Sequence, residues 1–486
     1  MPTLTKPART TAQTVNPGSF EAHNHWYPKA LNATIHPMVN FFLNLEQERI
    51  INRYCHLYPK VVPDVLRQLL NYECRYFLWG GADLINVTSA GGRRQMVVIE
   101  NNSCPSGQKS MPLTDDHEEE GTYRWLMERT FAPFLKKRRP NVKGGLAVIY
   151  DKNPMEVTGY AAVMADVMNE PVSLVTFYKD DPDPAVKFEE GVMYVRGEDG
   201  QWQPIRAAFR YLTQKPWNRL PLYTKTRILN PTIACLAGGR NKMLAAKAYD
   251  VYNEELEGTG LRIRMPETIR DVKKEDIPAW VEKMGGHAVI KVPYSNAGQG
   301  VYTIVTKNEL ETFMELQSDY DRYIVQSLIG NYNWSSTSST GKYFHVGTMP
   351  NKLGETFVSD LRMMVSSTPD GIRPICVYAR RGKLPLADHL KEGDNSWAML
   401  GTNLSYKKPD GSWDTDTNRL MLMDRRDFNK LGMGMDELIE AYIQTVLSMV
   451  AIDKMAQQLM NSDGKFRLKL FKTLNDDPAL INEILL

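Results

Sequence analysis

Lys291-Val292-Pro293-Tyr294-Ser295-Asn296-Ala297-Gly298-Gln299-Gly300-Val301-Tyr302-Thr303 is the stretch on which the reading of this chain turns. The apolar run Ala288-Val289-Ile290 leads into it and Val301 to Val305 leads out, so the pattern is strand, small-residue loop, strand. Gly298 and Gly300 admit backbone angles that other residues resist, and a loop of this kind lets a phosphate approach main-chain N–H groups closely. Lys291 places a positive charge at the end of the first strand. By itself a Gly-x-Gly is more often a plain hairpin with a solvated lysine, so the neighbouring segments carry weight.

Upstream, Ala237-Gly238-Gly239-Arg240-Asn241-Lys242 is a glycine turn opening a helix from Met243 to Leu256, a second arrangement suited to phosphate. Helix 275–284 precedes the loop and helix 307–317 follows it. Tyr323-Ile324-Val325-Gln326-Ser327-Leu328-Ile329-Gly330 reads as a strand entering a turn, and the Ser/Thr/Asn-rich piece from Asn331 to Gly341 as a mobile loop. Val358 to Val365 and Ile375 to Arg381 read as antiparallel strands. From Lys383 to Thr417 the chain is irregular, ending in the turn Lys408-Pro409-Asp410-Gly411. Glu437 to Leu459 is the longest amphipathic helix, with an apolar face through Leu438, Tyr442, Val446, Met449 and Ala456, and residues 461–486 read as a helical tail.

The early chain supplies acids. After helices between Ala30 and Tyr72, Phe77 to Val87 and Gln95 to Glu100 form a hairpin about the turn Ala90-Gly91-Gly92-Arg93. Glu100 and Asn102 lie two apart and share a face of an extended chain, and pairing can bring Asp83 beside them. Three oxygens around a hard cation is how magnesium is held next to nucleotide phosphates; a charged solvent face is the other reading. Pro105-Ser106-Gly107 is a tight turn suited to an anionic substrate group. Asp115 to Glu120 is a solvated acidic run, helix 121–136 follows, and the four cations Lys136 to Arg139 suit a helix end better than a nucleic-acid patch. Leu146 to Asp151, a helix near 154–168 and Val172 to Phe177 make a β-α-β unit. A hairpin from Val192 to Gln203 comes next, then a strand from Ile205 to Tyr211 carrying Arg206 and Arg210, either of which could fork onto a carboxylate or pair with a surface acid.

Bulk properties narrow the class. At 486 residues the chain holds roughly two to four structural units. A net charge of +2 argues against nucleic acid as the main partner, and no apolar run approaches the length that spans a bilayer. Five scattered cysteines without a Cys-x-x-Cys pair fit reduced thiols in a cytoplasm. The polar, Thr/Pro-rich N-terminus reads as a disordered lead-in.

The block from Asn241 to Arg381 resembles the ATP-grasp family: Asn241-Lys242 opening a helix, Lys291 before the loop Ser295 to Gly300, Tyr323 to Ile329 like the adenine-holding hinge strand, then Asp360-Leu361-Arg362 and Arg380. That family's metal strands normally follow the long helix, and residues 460–486 offer none. Asp83, then Glu100-Asn101-Asn102, then Pro105-Ser106-Gly107 look like the missing part at the other end of the chain, so the sequence resembles a circularly permuted ATP-grasp protein of the glutathionylspermidine-synthase-like type. Gln326 stands where an acid is common, no clear acid for the ribose hydroxyls follows it, and the 331–357 stretch is longer than expected.

The resemblance implies an α+β ATP-grasp fold with a β-α-β substrate-side domain. It divides the chain into a lead-in (1–28), a permuted metal-binding part (29–143), the substrate-side domain (144–235), the nucleotide-binding domain (236–460) and the tail (461–486). It implies an ADP-releasing carboxylate–amine ligase in the cytoplasm, acting on a small carboxylate and an amine through an acyl phosphate, with a homodimer admitted. ATP would lie against Lys242, Lys291, Ser295, Asn296, Ala297, Gly298, Gly300, Gln326 and Leu328, with one or two magnesium ions (manganese as substitute) on Asp83, Glu100 and Asn102. Arg380, Arg362 and Lys291 would act on the transferring phosphoryl group, and Ser106, Gly107 and Arg210 would position the carboxylate. The alternatives are an ATP-dependent phosphotransferase on the same fold, a non-catalytic nucleotide-binding protein, and an unrelated α/β scaffold.

Overall fold

The computed structural model describes residues 10–137, 142–213, 215–295, 298–317, 320–339, 341–390, 395–408 and 413–485. Within them the fold is α+β, with three main sheets. The expected turn at Lys408 to Gly411 and the end of the basic run, Arg138 and Arg139, fall largely outside the described residues.

The core is organised by the helix Met435–Leu459, which is buried on every side. The stripe expected from its spacing is therefore only part of its contact surface, as for a helix in the middle of a large core. Against it packs a six-stranded sheet whose strands come from distant parts of the chain. Trp79–Ser89 pairs with Arg94–Asn102 on one side and with Ser359–Thr368 on the other. Ser359–Thr368 in turn pairs with Gly371–Arg381, and all these pairings are antiparallel.

Two buried polar side chains fix where the early hairpin enters. Asp453 of the long helix accepts hydrogen bonds from the backbone N–H groups of Arg75, Tyr76 and Phe77, at 2.7–3.1 Å. Asn230 accepts from the N–H groups of Leu78 and Trp79 and donates to the Ser103 carbonyl at 2.7 Å. These bonds satisfy backbone groups that would otherwise be buried unpaired.

The second sheet contains the expected β-α-β unit. Gly145–Tyr150 lies parallel to Val172–Thr176 across the helix Pro154–Met168, and parallel to Trp202–Tyr211 on its other side. The predicted hairpin strand and the strand after it are one, Trp202–Tyr211. Gln13–Val15 adds antiparallel to Val172–Thr176, and the Ala12 N–H donates to the Arg196 carbonyl. This corrects the expected lead-in: residues 12–15 close a sheet edge. Residues 1–9 lie outside the described residues.

The third sheet runs Thr268–Lys273, Arg322–Ser327, Ala288–Lys291, Val301–Ile304, and the glycine stretch joins its last two strands. Helices Ile277–Lys283 and Lys307–Glu315 complete its small core, where Val281, Ile290, Ile304, Phe313 and Val325 meet. The segment expected to be mobile is tied down: Ser336 N–H donates to the Leu328 carbonyl, Thr337 N–H to the Met284 carbonyl, and Asn331 Nδ2 to the Ala387 carbonyl. Among the described residues no helix is long and apolar enough to cross a membrane. All five cysteines are free.

Candidate active site

One cavity of about 870 Å³ runs between the third sheet and the six-stranded sheet, and reaches the ends of the parallel strands. Its floor follows from strand register. Arg362 stands opposite Asp83, and Arg380 opposite Asp360, so unlike charges face each other across neighbouring strands. Arg362 forks onto Asp83, Nε to Oδ1 at 2.6 Å and Nη2 to Oδ2 at 2.7 Å. Arg380 Nη2 reaches Asp83 Oδ2 at 2.9 Å and also grips Asp360 through Nε at 3.0 Å. Burial pushes both carboxyls up. In Asp83 the two guanidiniums overcome it and hold the carboxyl well below its ordinary range. In Asp360, which has Arg380 as its guanidinium and Asp83 as a like-charged neighbour, burial wins.

A β-bulge shapes the rim. Asp83 pairs with Glu100 and Leu84 with Val98, so Ile99 is the extra residue. The bulge frees the Ile99 carbonyl, and Lys291 Nζ donates to it at 3.2 Å. The glycine loop therefore meets the acidic hairpin. Burial, partly offset by Glu100 and reinforced by Lys242, lowers the Lys291 ammonium to about 8. Lys242 is the first residue of the helix Lys242–Glu255, whose N-cap Asn241 accepts from the Leu244 N–H at 3.1 Å. Its Nζ donates to the Ser295 carbonyl at 2.6 Å and lies 3.8 Å from Glu100 Oε2. Burial lowers its pKa too, with Glu100 opposing.

The loop covers the cavity from above. Gly300 sits at φ +66°, and a Cβ there would come 2.9 Å from Cβ of Val292. A Cβ on Gly298, at φ +73°, would meet Asn403 and the Trp397 ring at 3.3 and 3.4 Å. Asn296 and Ala297 lie outside the described residues. On the strand Arg322–Ser327, Gln326 Nε2 donates to Thr268 Oγ1 at 2.8 Å and lines the cavity. Leu328 also lines it, but its N–H donates to Ser336 Oγ and its carbonyl accepts from the Ser336 N–H. His345, absent from the sequence reading, joins this end; burial lowers its imidazole to about 4.

The turn read as a carboxylate receptor is already occupied by a carboxylate of this chain. Fully buried Glu156 accepts from Ser106 Oγ at 2.7 Å, from the N–H groups of Gly107 and Gln108 at 2.9 Å, and from Tyr211 OH at 3.1 Å. The turn binds an anion, as its residues imply, but that anion arrives from the first turn of the crossover helix. Ser106 still reaches the cavity wall. Arg210 is buried and donates to the Asn230 carbonyl and to Ser103 Oγ, so it braces the hairpin instead of facing the cavity. No motif pointed to Glu156, because a lone acid in a helix normally reads as solvated.

Asp83, Glu100 and Asn102 do lie on adjacent strands, but they do not make a cation cage as they stand. Both Asp83 oxygens bind arginines and Asn102 Oδ1 accepts from Arg240 at 3.0 Å, which leaves Glu100 as the carboxylate open to the cavity. Among the described residues no group of three His, Cys, Asp or Glu side chains is disposed to hold a metal. Around these acids the cavity wall carries Arg240, Lys291, Arg362 and Arg380 against Asp83, Glu100 and Asp360, and Lys242 stands behind the wall, 3.8 Å from Glu100. The excess suits a polyanion. Cys104 reports the same field: burial raises its thiol, but Arg240 (Nη2 to Sγ 3.0 Å), Lys152 and Arg210 bring it down to about 6.

Fold and cleft together define an α+β protein with a cationic cavity under a glycine loop. No family model and no curated protein matches the chain. Solved structures similar to it include the RimK domain ATP-grasp protein from Sphaerobacter thermophilus, with 16% identity over 48% of this chain and 89% of that one and a TM-score of 0.28. A glutathione synthetase-like effector from Globodera pallida in apo form shows 8% identity over 72% of this chain and 86% of that one, with a TM-score of 0.37. D-alanyl-alanine synthetase A from Vibrio cholerae shows 10% identity over 49% and 89%, with a TM-score of 0.28. These are likenesses of fold, and the functional reading stands on the cavity itself.

Proposed function

We propose that this chain is an ATP-dependent carboxylate–amine ligase on a circularly permuted ATP-grasp fold. The observation that carries the reading is the meeting of the two distant segments: Lys291 on the Ile99 carbonyl, and Lys242 3.8 Å from Glu100. The strand that enters the glycine loop thus presents Lys291 to a cavity shared with an acidic hairpin and two buried arginines, while Lys242 braces the loop from the adjoining helix.

Lys242 and Lys291 hold phosphate oxygens as point charges. Arg362 and Arg380 are already oriented by Asp83 and Asp360, so they offer fixed guanidiniums to a phosphoryl group in transfer. An acid substrate attacks the terminal phosphorus of ATP through a carboxylate oxygen, giving an acyl phosphate and ADP; an amine then attacks the acyl carbon and phosphate leaves. The loop packed toward Trp397 and Asn403 keeps water from the acyl phosphate. Of the three donors foreseen for magnesium, Glu100 is the one open to a metal brought in by the nucleotide.

Purified protein with magnesium, ATP, pooled carboxylic acids and pooled amines should release ADP and form new amide masses. Release of AMP would instead indicate adenylation and remove the acyl-phosphate route. Glu100→Gln keeps the side chain's shape but removes the charge that supports the buried Lys242 and Lys291, so stability should fall by about 1 kcal/mol while turnover falls on the order of 100-fold. Full activity in that variant refutes the proposal.

A further inference from the structure

The parallel sheet has a topological switch point that opens into the cavity. From Gly145–Tyr150 the chain crosses through the helix Pro154–Met168 to Val172–Thr176 on one side, whereas the next parallel strand, Trp202–Tyr211, lies on the other. Ligands of open α/β sheets bind in the crevice beyond the carboxyl ends of the strands at such a point. The loops leaving these two strands supply Asp151, Lys152, Asn153, Thr213 and Lys215 to the cavity wall.

Charge at this crevice is unbalanced. Asp151 would be the natural partner for Lys152, but its carboxylate is already engaged by Arg219 Nη2 at 2.8 Å and by the Thr213 N–H at 2.8 Å. The half-buried Lys152 ammonium forms no ion pair with a described residue, and lies 5.3 Å from the centroid of the Tyr211 ring. Burial lowers its pKa; Cys104 and Asp151 oppose this, and the nearby Arg240 and Arg210 add to it. A cation left without a counter-ion in a ligand cavity is costly unless an anion completes it. The neighbouring Cys104 thiol is drawn down by Arg240 first and by Lys152 next, so cations dominate the field at this end of the cavity.

We infer that Lys152, at the switch point, receives a second anionic group of the acid substrate, so that the substrate is a dicarboxylate or another acid with a second negative group. This rests on reading the cavity as a carboxylate-activating site. Lys152 is a specificity-determining residue and takes no part in phosphoryl transfer.

The test titrates full-length protein, with magnesium and ADP bound, with the diacids from malonate to adipate, their monomethyl esters, and phosphoglycolate, by calorimetry. At least one diacid, or phosphoglycolate, should bind about 10- to 100-fold more tightly than the matching monoester or glycolate. Phosphoglycolate as the best binder would identify the second group as phosphate; a diacid would identify it as carboxylate. Lys152→Met should abolish that preference and leave ADP affinity within twofold, and Lys152→Arg should restore most of it. Diacids and phosphoglycolate binding no better than their partners, or Lys152→Met keeping the preference, overturns the inference. Failure of the parent to bind ADP sinks the ligase proposal instead. A thermal melt of each variant confirms that it is folded.

Discussion

Lys291→Met separates the two demands on the lysine. Lys291 is 7% exposed, and burial lowers its ammonium from the ordinary 10.5 to about 8. That difference corresponds to about 3 kcal/mol of penalty for carrying the charge in the folded chain. Methionine of similar length removes the penalty but gives up the hydrogen bond to the Ile99 carbonyl, a loss of about 1 kcal/mol. The variant should therefore be more stable than the parent by about 2 kcal/mol at pH 7, a rise in melting temperature of roughly 2–4 °C.

The pH dependence gives the sign independently. Below about pH 8 the lysine is charged whether folded or not, and the parent bears the full penalty. Between pH 8 and 10.5 the folded lysine releases its proton while the unfolded one keeps it, so this group makes the parent more stable as pH rises. The gap between variant and parent should accordingly narrow from pH 8 to pH 10, followed by melting scans across that range. Calorimetry with magnesium–ADP should show at least a tenfold weaker affinity in the variant. A variant less stable than the parent at pH 7, with a gap that does not change with pH, would show that Lys291 does not carry a buried charge. Unchanged nucleotide affinity would remove it from the phosphate cradle.

Glu156→Gln offers an amide N–H₂ to a ring made almost wholly of donors, and should destabilise the protein by about 3 kcal/mol in urea titrations; a change under about 1 kcal/mol would mean the Ser106 turn has other means of satisfying its N–H groups. Asp83→Asn leaves Arg362 without its bidentate partner and should cost about 3 kcal/mol at pH 7. Since the folded carboxyl titrates below its unfolded value, the parent's advantage should hold from about pH 5 upward and fade below about pH 4; an advantage constant down to pH 2 would refute the pairing.

Much of the scaffold was legible because it is written locally. Apolar runs bounded by glycine turns give the hairpin Trp79–Asn102, the glycine loop between Lys291 and Val301, and the strand pair Ser359–Arg381. The crossover unit at 145–176 announces itself through two short continuous apolar runs on either side of a longer helical segment that opens at Pro154. Cross-strand partners were not legible. Whether Asp83 faces a cation or two arginines depends on its register against residues 359–381, almost 280 positions away, and a one-residue slip would reverse it. The same limit applies to Arg210, whose spacing allows a carboxylate fork and whose partners include the carbonyls of Asn230 and Leu212 and the hydroxyl of Ser103.

The anion-binding turn at Ser106 shows why local chemistry underdetermines the ligand. Its N–H groups and hydroxyl converge as their residue types require, and that convergence selects for a carboxylate of any origin. Glu156 fills it because the crossover helix delivers an acid in its first turn, where the helix dipole also favours a negative charge. The turn thereby becomes a joint between the parallel sheet and the six-stranded sheet, carrying Tyr211 from one and Gly107, packed beneath Tyr378, from the other. Tyr378 OH donates to the Ser106 carbonyl, and Arg362 donates both to that carbonyl and to Tyr378 OH. Glu156 thus lies two hydrogen bonds from a guanidinium assigned to phosphoryl transfer. It holds the arginine's surroundings rigid without entering the cavity, which is the work a buried carboxylate does when every one of its lone pairs has a donor.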